Sequence, residues 1–111
     1  MKVIPASEFE NYVGQETGVT EWIEITQDRI NQFAEATNDH QFIHVDPEMA
    51  KATPWGSTIA HGFLTLSLLS FMSAQNGFMP EGMQMAINYG ADKVRFMEAV
   101  PVNSKIRGRF V

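Results

Sequence analysis

The sequence predicts an α+β fold in which one long central helix is wrapped by an antiparallel sheet. Residues 61–74 are apolar around nearly the whole circumference of a helix, which is typical of a helix buried on all sides. Two later segments, residues 83–97 and 102–111, alternate basic and apolar positions as long strands do. Alternation in residues 19–25 predicts a further short strand near the start of the chain. Together these patterns indicate a helix enclosed by strands.

A first, amphipathic helix is predicted over residues 27–37, with Thr26 as its N-cap. Its apolar face has the spacing of one helical side and consists of Ile30, Phe33, Ala34 and Thr37. Residues 38–58 are rich in Asp, Pro, Gly, His and Thr, so we expect a structured loop with one helical turn near residues 47–52. Long ordered loops usually carry function.

Length and composition bound the possible functions. The 111 residues, 44% of them hydrophobic, predict a single domain over residues 1–111 that buries about two thirds of its unfolded surface. The absence of cysteine excludes disulfides, thiolate nucleophiles and Cys-ligated metals, and favours the reducing cytoplasm. A formal charge of -5 argues against nucleic-acid binding. The apolar window at residues 59–72 is too short to span a membrane, which needs about 20 residues.

The residues with the strongest chemistry lie in residues 39–47 and 59–64, which contain two carboxylates and all three histidines. Asp39 and His44, five positions apart, make a plausible acid and base pair, because histidine titrates near neutrality and a desolvated carboxylate can approach it. A purely structural alternative is that Asp39 caps Gln41 while His44 covers a surface.

Gly62 stands where the apolar helix begins. The first backbone amides of a helix have no partner within it and carry partial positive charge, and glycine lets a ligand approach closely. A thioester or carbonyl oxygen that gains negative charge in a transition state would be stabilised there, and losing one such donor costs about 3 kcal/mol of barrier.

Three ordered motifs, residues 39–47, 59–64 and 88–96, resemble the MaoC-like dehydratase family, which includes (R)-specific enoyl-CoA hydratases and nodulation-protein-N-like proteins. The similarity extends over nearly the whole chain from Gly14. It implies a hotdog fold and a homodimer or higher homo-oligomer. Family members continue for about two more strands than this sequence, so the last strands of the fold are expected to be missing.

The resemblance also implies a site. Asp39 and His44 match the catalytic pair that holds the water added to the β-carbon of a trans-2-enoyl-CoA, and Gly62 matches the glycine whose N–H binds the thioester oxygen. The implied enzyme is a hydro-lyase that forms an (R)-3-hydroxyacyl-CoA reversibly, without a metal or redox cofactor, coenzyme A being part of the substrate. Which of the two residues delivers the α-proton is left open.

Five further residues are expected to bind substrate: Gln41, Phe42, Trp55, His61 and Arg95. The commoner family motif has Asn-Pro where this sequence has Gln41 and Phe42, and the replacement resembles the nodulation-protein-N-like branch. His61 has a second interpretation, stabilising the start of the helix. Arg95 would contact a CoA phosphate or pair with Glu98.

Three other interpretations of the same residues are open. His40, His44 and Asp46 are close enough in sequence to suggest a metal site, although the β-branched residues and proline between them disfavour the helix it would need. A hotdog acyl-CoA thioesterase would use the same fold with its water aimed at the thioester carbonyl. A non-catalytic acyl-CoA-binding or dehydratase-like subunit is the third.

Overall fold

A computed structural model describes residues 1–111, which group into two compact units. Trp22–Leu68 and Phe96–Ile106 form one unit, called the site unit because it holds the histidine cluster. Met1–Glu21, Leu69–Arg95 and Arg107–Val111 form the other, called the terminal unit.

The elements are short. The strands are β1 (Lys2–Ile4), β2 (Gly18–Val19), β3 (Ile23–Glu24), β4 (Phe78–Pro80), β5 (Lys105–Ile106) and β6 (Arg109–Phe110). The α-helices are α1 (Gln27–Thr37), α2 (Phe42–Val45), α3 (Pro47–Ala50), α4 (Gly62–Ser67) and α5 (Leu69–Asn76). A 3-10 helix occupies Ala6–Tyr12.

The strands form three separate pairs rather than the single antiparallel sheet that the sequence predicts. In the site unit β3 pairs antiparallel with β5, and in the terminal unit β1 pairs parallel with β4 and β2 antiparallel with β6. The predicted strand at residues 19–25 is divided between β2 and β3. Between them Thr20 bonds Gly108 twice, since its N–H donates to Gly108 O at 2.9 Å and its hydroxyl, in place of its carbonyl, accepts the Gly108 N–H at 2.9 Å.

Helix α1 confirms the sequence prediction at both ends. The Thr26 hydroxyl accepts the Arg29 N–H at 3.1 Å, which satisfies one of the unpaired amides of the first turn. Ile30 and Ala34 are fully buried on the predicted face. Asn38 ends the helix with a φ of 60°, a left-handed conformation that asparagine adopts more readily than most residues.

Residues 38–58 contain more helix than predicted. The expected turn near residues 47–52 is α3, capped by the Asp46 carboxylate, which accepts the Met49 N–H at 3.1 Å. Helix α2 is a correction, since its β-branched sequence predicts no helix. Two of its carbonyls are satisfied from outside the segment, because Ile43 O accepts the Ile59 N–H at 3.0 Å and His44 O accepts the Gln27 side-chain amide at 2.8 Å.

The single long helix predicted over residues 61–74 is divided into α4 and α5 at Leu68. The Ser67 hydroxyl donates to Phe63 O at 2.7 Å, and such back-bonding competes with the backbone ladder and bends helices. Complete burial is also wrong, because Leu64 and Met72 are buried whereas Phe63 and Phe71 are 67% and 55% exposed. No helix in the chain combines the length and apolar character that crossing a membrane requires.

The strand predicted over residues 83–97 does not form. Met85, Ile87 and Tyr89 alternate as a strand would, yet all three are exposed. A strand needs a neighbour that takes its N–H and C=O groups, and no segment of the chain pairs with residues 84–97. Residues 102–111 do contribute β5 and β6, with the alternating Lys105, Arg107 and Arg109 exposed as expected for a solvent face.

Replacing Thr26 with alanine removes the cap of α1 and is expected to lower the free energy of unfolding by about 1 kcal/mol. Chemical denaturation of Thr26→Ala against the parent protein measures this loss. Thr37→Ala is the matched control, because that hydroxyl bonds only to Phe33 O within the same helix, at 2.8 Å. Equal destabilisation by the two substitutions would contradict the capping role.

Candidate active site

His44 lies in the short helix α2 with its ring turned inward, and only 7% of the residue is exposed. Its Nδ1 is 2.7 Å from Ile59 O. Because a carbonyl only accepts, the proton of this hydrogen bond belongs to Nδ1. The other ring nitrogen, Nε2, forms no hydrogen bond with the chain and is not fully buried. His44 therefore presents a free lone pair at Nε2.

A polar bridge made by Gln27 joins three segments at this point. Its Nε2 donates to His44 O at 2.8 Å, and its Oε1 accepts the Thr58 hydroxyl at 2.5 Å. Thr58 is 1% exposed, so this network replaces water for groups that could not otherwise be satisfied. The bridge fixes helix α2 against the segment that carries Ile59.

Asp39 follows the left-handed Asn38 at the end of α1, and its side chain is exposed. The carboxylate Oδ1 accepts the Gln41 N–H at 3.3 Å, which is the cap that the structural interpretation of Asp39 predicts. This single long hydrogen bond uses only Oδ1. Asp39 can therefore cap Gln41 and still offer its other carboxylate oxygen to a water or a substrate.

His61 brings the loop and the helix together. Its ring stacks on that of His44, with centroids 3.9 Å apart and planes inclined by 23°. Its Nε2 is 3.0 Å from Asp39 O, and the Phe33 ring packs against it at 4.9 Å between centroids, inclined by 59°. One ligand atom each from Asp39, His44 and His61 lie within 4.8 Å of one another. A single water reaches two groups at this separation, since each of its hydrogen bonds spans about 2.8 Å.

Burial sets the protonation of His44. Desolvation, the largest influence, lowers the pKa of His44 below its ordinary value of 6.5, and the neighbouring His61 acts in the same direction. The Ile59 carbonyl and the Asp39 carboxylate oppose this by raising the pKa. The net lowering keeps the imidazole neutral near pH 7, which is the form that can accept a proton.

Gly62 is the first residue of α4 and directly follows His61. Its N–H has no acceptor within the chain, as expected for the first turn of a helix. A Cβ at this position would lie 2.9 Å from the Phe96 ring, so glycine is required for that ring to pack here. Phe63 meets Phe96 edge to face at 5.7 Å, and both rings are more than half exposed.

The other expected site residues have different surroundings. Gln41, Phe42 and Trp55 are exposed in the site unit, with Gln41 bound to Asp39 through its backbone. His61 is 2% exposed, so it presents almost no surface to a ligand, and as N-cap it makes no side-chain capping hydrogen bond. Arg95 belongs to the terminal unit, where its guanidinium donates to Val94 O at 3.0 Å.

Neither group of possible metal ligands converges well. His40 binds Glu35 at 2.7 Å and Asp46 caps α3, so the set suggested by sequence spacing is dispersed. In the remaining cluster an ion would have to lie in the plane of both the His44 and His61 rings. Rings 3.9 Å apart and inclined by 23° have planes that meet far beyond the ~2.1 Å of a zinc–nitrogen bond.

Four residues that shape the site could not be identified from the sequence. Gln27, Thr58 and the Ile59 carbonyl act through contacts between distant parts of the chain, and no local pattern marks them. Phe96 reads as a packing residue from sequence, and only its position against Gly62 connects it to the site. The close approach of a ring to a glycine at a helix start has no sequence signal.

Comparison with known proteins identifies the family. The family model described as MaoC like domain matches residues 8–111. The chain belongs to the MaoC-like family. The 3-hydroxyacyl-thioester dehydratase Z of Mycobacterium tuberculosis is 53% identical over 94 residues, which cover 85% of this chain and 62% of that protein. Nodulation protein N of Rhizobium meliloti is 53% identical over 114 residues, covering 100% of this chain and 70% of that protein.

Among solved structures, the unliganded R-hydratase PhaJ1 from Pseudomonas aeruginosa superposes with a TM-score of 0.72 at 26% identity. The match covers 96% of this MaoC-like chain and 63% of that one. The hotdog fold and α+β class predicted from sequence are therefore confirmed, whereas the undivided central helix is not found. The chain spans about 62% of the length of the mycobacterial relative.

The lowered pKa of His44 predicts how the stability of the fold depends on pH. The unfolded chain takes up a proton near pH 6.5 while folded His44 does not until lower pH, so stability falls as the pH drops from 6.5 and levels off below the lowered pKa. Titration of the His44 ring by NMR is expected to show a midpoint below 6.5. Repeating it in denaturant removes the desolvation and should return the midpoint to its ordinary value; a folded midpoint at or above 6.5 would contradict the account.

Proposed function

We propose that this MaoC-like chain catalyses the reversible hydration of a trans-2-enoyl thioester to an (R)-3-hydroxyacyl thioester, with coenzyme A as the carrier. The observation that carries the proposal is the anchoring of His44 Nδ1 on Ile59 O, which leaves Nε2 without a partner in a ring that has a nitrogen within 4.8 Å of an Asp39 carboxylate oxygen. A neutral imidazole and a carboxylate at this separation can hold one water between them. The names of the mycobacterial dehydratase and the Pseudomonas hydratase support the same chemistry.

In the proposed reaction Asp39 and His44 bind the water and take one of its protons as its oxygen bonds to the β-carbon. The electrons of the 2,3 double bond move onto the thioester, and the enolate oxygen accepts the Gly62 N–H, which has no acceptor in the chain. The pair then returns a proton to the α-carbon, and the thioester carbonyl re-forms. Acid–base help of this kind typically contributes a factor of about 10² to 10⁴.

The chemistry proposed needs no metal or redox cofactor, because water addition to a conjugated thioester moves protons and changes no overall oxidation state. The stacked arrangement of His44 and His61, which suits a shared ion poorly, supports this part of the proposal. Assembly into a homodimer or a larger homo-oligomer, and location in the cytoplasm, stay predictions.

Removing either member of the pair is expected to reduce kcat by about 10² to 10⁴. The loss of conjugated ultraviolet absorbance of crotonyl-CoA and of a longer trans-2-enoyl-CoA follows the reaction for the parent, Asp39→Asn and His44→Gln proteins. The product is resolved to confirm the (R)-3-hydroxy configuration.

His40→Gln and Asp46→Asn are matched controls, because the His40 ring pairs with Glu35 and the Asp46 carboxylate caps α3, so that neither side chain bonds to the pair. Both are expected to keep activity close to that of the parent. Release of thiol from a saturated acyl-CoA would favour a thioesterase instead. A folded parent protein that hydrates neither substrate, or a pair of substitutions without effect, would overturn the proposal.

A further inference from the structure

His61 combines two features that are costly for a side chain whose only role is packing. It is 2% exposed, and its Nδ1 is fully buried without any hydrogen-bond partner, a combination found at no other side-chain nitrogen or oxygen of the chain. A buried polar atom left unpaired destabilises a fold, and an apolar residue would avoid the cost. Such an atom in a native structure calls for a functional explanation.

The other ring nitrogen supplies that explanation. Nε2 is 3.0 Å from Asp39 O, so it carries the proton and donates it to the backbone of the residue proposed to hold the water. The same ring stacks on His44 with centroids 3.9 Å apart and also packs against Phe33. One side chain therefore contacts both members of the pair, the backbone of Asp39 and the ring of His44.

Asp39 needs this support because little else fixes it. The residue is exposed, it follows a left-handed turn at Asn38, and its carboxylate makes one hydrogen bond of 3.3 Å. His44 is by contrast anchored at its ring and at its carbonyl. The separation of the pair depends on where the Asp39 backbone is held, and His61 provides the long-range hydrogen bond that holds it.

We propose that His61 is a positioning residue whose Nε2–H fixes the Asp39 backbone against the His44 ring, with no contact to substrate. The expected effect on kcat rests on the proposed function. The hydrogen bond that holds Asp39 rests on the geometry alone. This role differs from substrate binding, which is the role that the sequence predicts for His61.

Two amide substitutions separate the donor from the rest of the side chain. Glutamine can place its NH₂ near the position of Nε2, whereas the shorter asparagine places it near Nδ1 and cannot reach Asp39 O. Misplacing a reacting group by about 1 Å can cost a factor of about 100, so His61→Asn is expected to lower kcat by about that factor with KM unchanged. His61→Gln is expected to recover most of this loss.

If His61 had a purely structural role, kcat and thermal stability would fall together in both variants, and glutamine would not restore kcat. Circular dichroism and thermal melting establish that each variant is folded at the assay temperature, and His40→Gln controls for loss of a histidine whose ring bonds to Glu35. Equal kcat for the two amide variants, or a loss confined to KM, would overturn the proposal.

A second readout does not depend on turnover. The carbonyl ¹³C shift of Asp39 and the amide shift of His40 are expected to move in His61→Asn and to return towards parent values in His61→Gln. If the parent protein proves inactive, the proposed function fails while this comparison still decides the positioning role. Unchanged shifts in both variants would show that no hydrogen bond from His61 holds Asp39.

Discussion

The hydrogen bond between His44 Nδ1 and the Ile59 carbonyl is the constraint on which the rest of the site depends. It joins two segments fifteen positions apart, decides which ring nitrogen faces outward, and brings His44 beside His61 at the start of α4. A buried ring nitrogen without this carbonyl would be unsatisfied and costly.

The segment that offers the carbonyl is itself held on both sides. Ile59 donates its N–H to Ile43 O at 3.0 Å, and Ala60 donates to Val100 O at 2.8 Å. Ile59 also forms an antiparallel bridge with Pro101. The carbonyl that anchors His44 is therefore itself fixed by backbone hydrogen bonds, and such support holds the geometry of a site accurately.

Much of this organisation could be predicted from sequence where the signal is local. Helix α1, its Thr26 cap and the association of Asp39 with His44 follow from spacing and from the motifs shared with the MaoC-like family. The inward direction of His44 does not, because it depends on the Ile59 carbonyl and on the Gln27 bridge to Thr58, which are contacts between distant parts of the chain. The prediction of one long central helix is wrong for a local reason. The apolar pattern continues past Ser67, but the Ser67 hydroxyl bonds to Phe63 O and disturbs the helix there.

Alternation of apolar residues predicts strands poorly in this chain. Met85, Ile87 and Tyr89 have the pattern of a strand but lie exposed, because alternation describes which face a strand would cover and does not supply the neighbour that pairs with it. The site unit does not share this weakness, since its strand β3 has β5 as a partner and its helices are tied by polar contacts.

The central claim is that the fold fixes His44 with its proton on Nδ1 and its lone pair on Nε2. Ring ¹⁵N shifts measured near neutral pH test this most directly, because protonated and unprotonated ring nitrogens differ widely. The account predicts a protonated Nδ1 and an unprotonated Nε2 for His44. A proton on Nε2 would break the bond to Ile59 O, occupy the proposed base, and contradict the account.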